Sequence, residues 1–389
     1  MQARDPAALG ITGPPPDPAD WWQVITEPAD PGELPKVLPD VEWVLPGDES
    51  AVPWAEDWAF EIGAPGNYPV TSAQRTRKTH MQYALAAASP KVAGPVTLPA
   101  TTLQEAQAAA SKIGWPVVIK PDWSASSVGV RVCRTPTALT AAWPQVWGMP
   151  GALGEITSVV AVQEYLAGQK WTVDTITVSG ADGRPVHVAT SFWCERVVET
   201  PAGIAWGESW FVPPSTANAP GPPRRVAAYV FKVLDAVWVE WGPACTEVVL
   251  TARGPRLTEV MARLAGCYPV HLVELVTGQS QVTSTVDALI DPAALARRDP
   301  AAGNGRTVAQ VWLAAPYDGW LNDGPLCQIL NLPTVQTYPD ELMPGAEVHK
   351  TIDSTRSPGR LDLLGPRAQV EQDIGTIRTL EHSLYRRQP

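Results

Sequence analysis

Residues 246–266, TEVVLTARGPRLTEVMARLAG, limit what this chain can become more than any other stretch. Two apolar runs, one carrying Glu247 and the other Glu259, flank Ala252-Arg253-Gly254-Pro255, a turn sequence. Each glutamate lies six residues from Arg253. A three-residue loop Ala252-Arg253-Gly254, with glycine in the left-handed position, sets the two glutamates opposite each other across an antiparallel ribbon. Opposed side chains share a face, with Cβ atoms about 5 Å apart. Two bare carboxylates there repel, and a cation between them reverses the sign. Mg²⁺ favours one or two carboxylates completed by substrate phosphates, so this register points to a metal–nucleotide site. A register shifted by one residue turns one glutamate to solvent and removes the site; spacing alone leaves both readings open.

The 389 residues are enough for two or three domains, and 45% are hydrophobic, so a globular chain is expected. A net charge of -11 argues against a nucleic-acid partner, whose footprint is normally basic. The five cysteines, Cys133, Cys194, Cys245, Cys267 and Cys327, include no CxxC pair and suggest reduced thiols. The histidines are scattered, which suggests no zinc site. The first twenty residues, rich in Pro, Ala and Asp, lack a signal-peptide pattern and are expected to be disordered. No apolar run reaches membrane-spanning length. A soluble cytoplasmic protein is expected, without a membrane partner and compatible with a homodimer.

The pattern along the chain predicts an α+β fold. WWQVIT and VEWVLPG look like short strands, and ESAVPWAEDWAFEIG like a helix stopped at Gly63. Ser72 is placed to cap a helix over AQRTRKTHMQYALAAA. TTLQEAQAAASKIG follows, with Thr102 and Glu105 as a capping box and Gly114 as its stop. Strands are expected at WPVVIKP, VGVRVC, SVVAVQEYL, KWTVDTITV and RPVHVATSFW, and helices at RRVAAYVFKVLDAVWVEWG, PVHLVELVTG and VEQDIGTIRTLEHSLY.

No GxxxxGK[ST] is present, so phosphates need another cradle. VVIKPDWSASSVGV supplies a candidate: Lys120 closes a strand, and Ser124, Ser126, Ser127 and Gly129 follow in a small polar loop. Such a loop offers N–H groups and hydroxyls to an anion; a solvated loop is the alternative. Lys78 lies within a predicted helix, where exposure is the default. His271 reads as a core histidine or a pocket residue. Trp193, Trp206 and Trp210 read either as packing or as a wall for a bulky, planar substrate.

Taken in order, the helical lysine, IGWPVVIKP, the Ser/Gly loop, VQEYLAG and the Glu…Glu hairpin ending in arginine resemble the ATP-grasp superfamily. Within it the chain is similar to carboxylate–amine ligases of the L-amino acid ligase type, over about residues 40–389. The resemblance implies two α+β subdomains clamping ATP, a reduced N-terminal domain in residues 1–72, an ATP-grasp domain in 73–285 with a lid at about 115–162, and a C-terminal α+β subdomain in 286–389. It also implies that Lys78 and Lys120 hold ATP phosphates beneath a lid loop of Ser124, Ser126, Ser127 and Gly129. Gln163, Glu164, Tyr165 and Leu166 would border adenine. Glu247 and Glu259 would bind Mg²⁺. Arg263, with Lys120, would be catalytic, steadying the transferred phosphoryl group.

The chain departs from the family's pattern at three positions. Met261 stands where asparagine is common, and a thioether does not suit Mg²⁺. Lys170 replaces a glutamate that typically contacts ribose; Asp174, on the following strand, is the candidate to compensate. Cys245 stands where relatives often have histidine. The function implied is ATP-dependent joining of a small carboxylic acid to an amine through an acyl phosphate. Met261 and Lys170 motivate the alternative of a degenerate ATP-binding partner or regulator.

Overall fold

The structure is a computed structural model, and it describes residues 40–200 and 203–387. The disorder expected for the first twenty residues and the strand expected at WWQVIT lie outside the described residues. Residues 41–46 run without regular secondary structure, so the strand expected in VEWVLPG does not form. Helix α1 (Val52–Glu61) follows, and Gly63 takes φ +67° after it.

The predicted long helix after Ser72 is two helices, α2 (Ala73–Thr76) and α3 (Lys78–Ala87). The break is at Arg77, which is extended at φ -108°, ψ 121°. Asp122 explains it: its backbone oxygen accepts from Lys78 N at 3.0 Å, and its Oδ1 accepts from Thr79 N at 2.8 Å. A carboxylate from another segment thus caps the second helix. Ser72 makes no side-chain cap.

A first sheet holds β1 (Thr97–Ala100), β2 (Val117–Pro121), β3 (Arg131–Cys133) and β4 (Val160–Glu164) in the order β1-β4-β2-β3. Helices α4 (Leu103–Ile113) and α5 (Pro136–Ala142) bury Ala106, Ala110, Leu139 and Ala142 against Ile119 and Val162.

The second sheet is larger. It contains β5 (Gly168–Ser179), β6 (Pro185–Thr200), β7 (Gly203–Val212), β8 (Gly242–Thr251), β9 (Gly254–Met261), β10 (Thr307–Trp312), β12 (Val335–Thr337) and β14 (Arg360–Gly365). Their order is β12-β14-β10-β7-β6-β5-β8-β9. Three strands from beyond residue 285 therefore extend the sheet begun by β5. A third, small sheet joins β13 (Glu347–Val348), β11 (Gly319–Leu321) and β15 (Tyr385–Arg387).

Strand β5 shows how the large sheet divides its faces. Side chains alternate along a strand. Trp171 and Val173 face α3 and α6 (Pro222–Ala236), in a core with Met81, Leu85, Val230, Val248, Leu257 and Val260. Burying each such side chain contributes about 1.5–3 kcal/mol. Lys170, Thr172 and Asp174 face the other way. That second face is covered partly by α7 (Val270–Thr277), α8 (Gln281–Ile290) and α9 (Pro292–Ala296), and is otherwise left as a cleft. Helix α6 ends earlier than its apolar run suggests, because Trp238 turns left-handed at φ 59°. Asn67 Oδ1 then accepts from Glu240 N and Trp241 N. Helices α10 (Asp323–Leu330) and α11 (Arg367–Leu384) complete the chain. Among the described residues, no helix is long and apolar enough to cross a membrane, and all five cysteines are free.

Candidate active site

The hairpin places Glu247 opposite Glu259, by a different route from the one expected. The ladder closes with Thr251 opposite Gly254, leaving Ala252 and Arg253 as the turn and Gly254 at φ +94°. This register runs to Val248 opposite Leu257, one residue short of the glutamate pairing, and a bulge at Thr258 then restores it. The side chains require the bulge. Leu257 and Val260 both belong to the α3/α6 core, yet an unbroken strand would point them to opposite faces. One extra residue turns both inward and Glu259 outward. The bulge also aims a carbonyl at the cleft: Lys120 Nζ donates to Thr258 O at 3.3 Å.

The cleft encloses about 810 Å³ between the two main sheets. Lys78, Lys120, Ser124, Ser126, Ser127, Gln163, Glu164, Tyr165, Leu166, Glu247, Glu259 and Arg263 all line it. Gly129 does not. It takes φ +76°, and a Cβ there would meet Pro121 at 2.9 Å, so it serves the turn and the close approach to β2.

Each cation around the glutamate pair is engaged. Lys78 is buried, where an exposed helical lysine was expected. Its Nζ donates to Ser124 O at 2.9 Å and meets Glu259 at 2.6 Å. Lys170 Nζ lies 3.0 Å from Glu247 and 3.1 Å from Glu195, and 4.7 Å from the centre of the Trp206 ring. Burial alone would lower the Lys170 pKa, but the Glu195 and Glu247 carboxylates together hold it well above the ordinary lysine range. For Lys120, burial and then the neighbouring Lys78 lower the pKa to about 8. Arg263 Nε lies 3.3 Å from Glu49, whose carboxyl burial pushes up to about 8 against the pull of that guanidinium.

The Ser/Gly loop differs in detail from the expected cradle. Ser126 and Ser127 both have positive φ, 55° and 59°, in a turn closed by Val128 N to Ala125 O at 3.1 Å. Non-glycine residues in this region cost roughly 1–2 kcal/mol each. Ser354 Oγ, from the chain beyond residue 285, donates to Ser126 O at 2.6 Å and ties the turn down. The Ser124 hydroxyl instead accepts from Ala152 N, which makes it an internal pin. Gln163 through Leu166 join β4 of the first sheet to β5 of the second. The Gln163 side chain is spent on Thr97, and Glu164 pairs with Arg253.

One expectation is corrected and two open readings are resolved. Asp174 does not reach the cleft: it is buried, accepts from Ser191 Oγ and Trp193 Nε1, and its carboxyl is pushed by burial to about 6. His271 is exposed on the cleft rather than a core residue. Of the three tryptophans, Trp206 lines the cleft, while Trp193 is fully buried and stacks on Tyr268 with centroids 4.1 Å apart. Trp210 lies outside the lining, beside the Arg367 guanidinium. The sequence reading missed Glu49, Glu195, Trp312 and Arg360, which come from distant segments.

Glu247 and Glu259 offer hard oxygens on one face with side chains 17% and 16% exposed, a donor pair that fits Mg²⁺ completed by phosphate oxygens. Among the described residues, no group of three or more His, Cys, Asp or Glu is arranged to hold a metal alone.

This geometry has known counterparts. The carbamoyl-phosphate synthase L chain, ATP binding domain family matches residues 77–191, from the start of α3 through the first sheet and into β6. The L-amino acid ligase from Bacillus licheniformis superposes with a TM-score of 0.69 over 92% of this chain and 84% of that one, at 18% identity. The chain has the ATP-grasp fold. The ADP complex of purK, N5-carboxyaminoimidazole ribonucleotide synthetase, shares the fold at a TM-score of 0.61 and 13% identity, over 92% of this chain and 84% of that one. In sequence, dapdiamide A synthase of Enterobacter agglomerans is 26% identical over 275 residues, covering 70% of this chain and 63% of the relative. The formate-dependent phosphoribosylglycinamide formyltransferase of Corynebacterium glutamicum is 31% identical over 134 residues, covering 34% and 32%. The chain thus spans less than two thirds of the length of these curated relatives.

Proposed function

We propose that this protein is an ATP-dependent carboxylate–amine ligase that makes a dipeptide or related amide and releases ADP and phosphate. The observation carrying the reading is the meeting of Glu247, Glu259, Lys78, Lys120 and Arg263 in one cleft between two sheets. The relation to dapdiamide A synthase and the fold of an L-amino acid ligase support the choice of reaction.

The chain's residues act by position and charge. Gln163 to Leu166, at the junction of the sheets, border the base. Lys78 and Lys120 neutralise the phosphates, and Arg263 faces the transferred phosphoryl group. Bound through Glu247 and Glu259, Mg²⁺ would supply Lewis-acid polarisation of phosphate oxygens. A substrate carboxylate oxygen attacks the γ-phosphorus and the bond to the β-phosphate oxygen breaks, giving an acyl phosphate and ADP. The amine nitrogen then attacks the acyl carbon. Phosphate leaves and takes up the proton that the nitrogen loses, completing the amide. Such transfers depend on orientation and preorganised charge. The turn at Ser126 and Ser127 covers the cleft and keeps water from the acyl phosphate.

The test measures ADP and phosphate across a panel of acids and amines, with mass spectrometry of the product. Release that requires both partners supports the reading; ATP consumption independent of both contradicts it. A second reading, nucleotide binding without ligation, is favoured by Met261 and by the Lys170–Glu247 ion pair. It predicts bound ATP and no ADP across the same panel. The location expected for such an enzyme is the cytoplasm.

A further inference from the structure

Helix α1 begins in a turn, Glu49–Ala51, that Asp48 fixes. Asp48 Oδ1 accepts from Ser50 N at 2.7 Å, from Ser50 Oγ at 2.6 Å and from Ala51 N at 3.1 Å. The helix is riveted to α2 by Glu56, whose two oxygens accept from Arg75 Nε at 2.7 Å and Arg75 Nη2 at 3.0 Å. Arg75 is fully buried and also donates to Val237 O and Trp238 O beyond the end of α6. This frame drives Glu49 into the interior, where it lies 3.3 Å from Arg263 Nε. Neither oxygen of Glu49 has a hydrogen-bond partner among the described residues. A buried carboxyl without such partners is costly, so its place needs a reason other than stability.

Arg263 supplies the reason. A guanidinium carries five N–H groups, one on Nε and two on each terminal nitrogen. Arg263 Nη1 donates to Leu264 O at 2.6 Å, and Nη2 donates to Met261 Sδ at 2.9 Å. Glu49 lies against the third nitrogen, Nε. Among the described residues, each terminal nitrogen thus keeps one N–H unspent, a fork on a side chain that lines the cleft. Met261 lines the cleft too. Its thioether is a poor partner for a hard cation and a weak acceptor for an N–H group; here it is spent on the arginine. Burial would lower the Arg263 pKa, and Glu49 is the first of the charges that hold it above its ordinary value.

We propose that Glu49 and Met261 are positioning residues: they hold the Arg263 guanidinium so that its two unspent N–H groups meet the transferred phosphoryl group. Phosphoryl transfer gains most from donors fixed in place before the reaction, because its charge is stabilised by position. The turn at residues 48–51 therefore contributes to catalysis from behind the cleft wall, since Glu49 itself does not line the cleft. The ionised and the protonated carboxyl of Glu49 both present an oxygen to Arg263, as a glutamine amide does; a leucine side chain does not. The proposal rests on the role given to Arg263 in the ligase reading, while the orientation it describes is measurable without amide formation.

The experiment titrates MgADP into the protein with and without aluminium fluoride, which mimics the phosphoryl group during transfer. The wild type should bind MgADP about a hundredfold or more tightly when the fluoride is present. Glu49→Leu should weaken the fluoride complex about tenfold or more and leave the affinity for MgADP alone unchanged, which also shows that the fold is intact. Met261→Leu, a swap of similar volume, should do the same independently. Glu49→Gln should retain most of the tighter binding. In an Arg263→Gln background, Glu49→Leu should add no further loss, because the group it positions is gone. Unchanged fluoride binding in either leucine variant, a further loss of the same size in the Arg263→Gln background, or no tightening by fluoride in the wild type would overturn the proposal. The ligase reading fails separately. If no acid–amine pair yields ADP while the fluoride complex depends on Glu49 and Met261, the placement of Arg263 is right and the ligase assignment is wrong.

Discussion

The two ends of the cleft satisfy their charges in opposite ways. At the end with the glutamate pair, Lys78 is locked to Glu259 and Lys170 to Glu195 and Glu247, so charges are held in place before any ligand arrives. At the far end, Arg360 faces aromatic rings and no acid. The difference teaches that one end is preorganised by its own protein partners, whereas the other is left for a ligand to complete. Removing a residue should therefore perturb catalysis and folding at the first end, and substrate choice at the second.

The largest expected effect is on turnover, at the end with the glutamate pair. Glu247→Gln or Lys120→Ala should lower acid- and amine-dependent ADP release by about a thousandfold or more, measured by coupled assay, because positioned charge carries most of phosphoryl transfer. Next is folding. Lys170→Met strands the buried Glu195 and its neighbour Glu247 without their cation. It should cost about 3–5 kcal/mol in urea unfolding; an unchanged midpoint would show that the ion pairs are not a structural lock. Smaller, and confined to the far end, is Trp312→Ala. It should raise KM for one of the two ligase substrates about tenfold while leaving KM for ATP unchanged.

The smallest effect is the pH response of Lys120, whose pKa falls from 10.5 to about 8. Between about pH 8 and 10.5 the unfolded chain holds a proton that the folded one has released, so this group's contribution to stability rises with pH across that window. Nucleotide binding responds the other way. It draws on the ammonium form, so affinity should decline above about pH 8. Titration of the ATP analogue at pH 7 and 9 should show a drop of up to about tenfold, and Lys120→Arg should flatten it.

The sequence made some of this arrangement legible and hid the rest for physical reasons. The glutamate pairing could be read because two acids stand at matched distances from a turn. The bulge that delivers it could also have been seen, since Leu257 and Val260 cannot both enter one core from an unbroken strand. The break before Lys78 could not, because the group that caps α3 is Asp122, far along the chain. Local pattern cannot show that Lys170 would take two acids as partners, or that Glu49 would reach Arg263. Arg360 was hidden for the same reason. Its meaning depends on β14 lying beside β10, and on β10 lying beside β7, in a sheet assembled from both halves of the chain.

The central claim is that the carboxylates across one β-ribbon hold a divalent ion against the triphosphate beside Lys78 and Lys120. The direct measurement is calorimetric titration of a non-hydrolysable ATP analogue with and without Mg²⁺, in the wild type and in a Glu247→Gln, Glu259→Gln double variant. The account predicts that Mg²⁺ tightens binding to the wild type by about tenfold or more and that the double variant loses this dependence. The same Mg²⁺ dependence in both proteins, or none in the wild type, would contradict it.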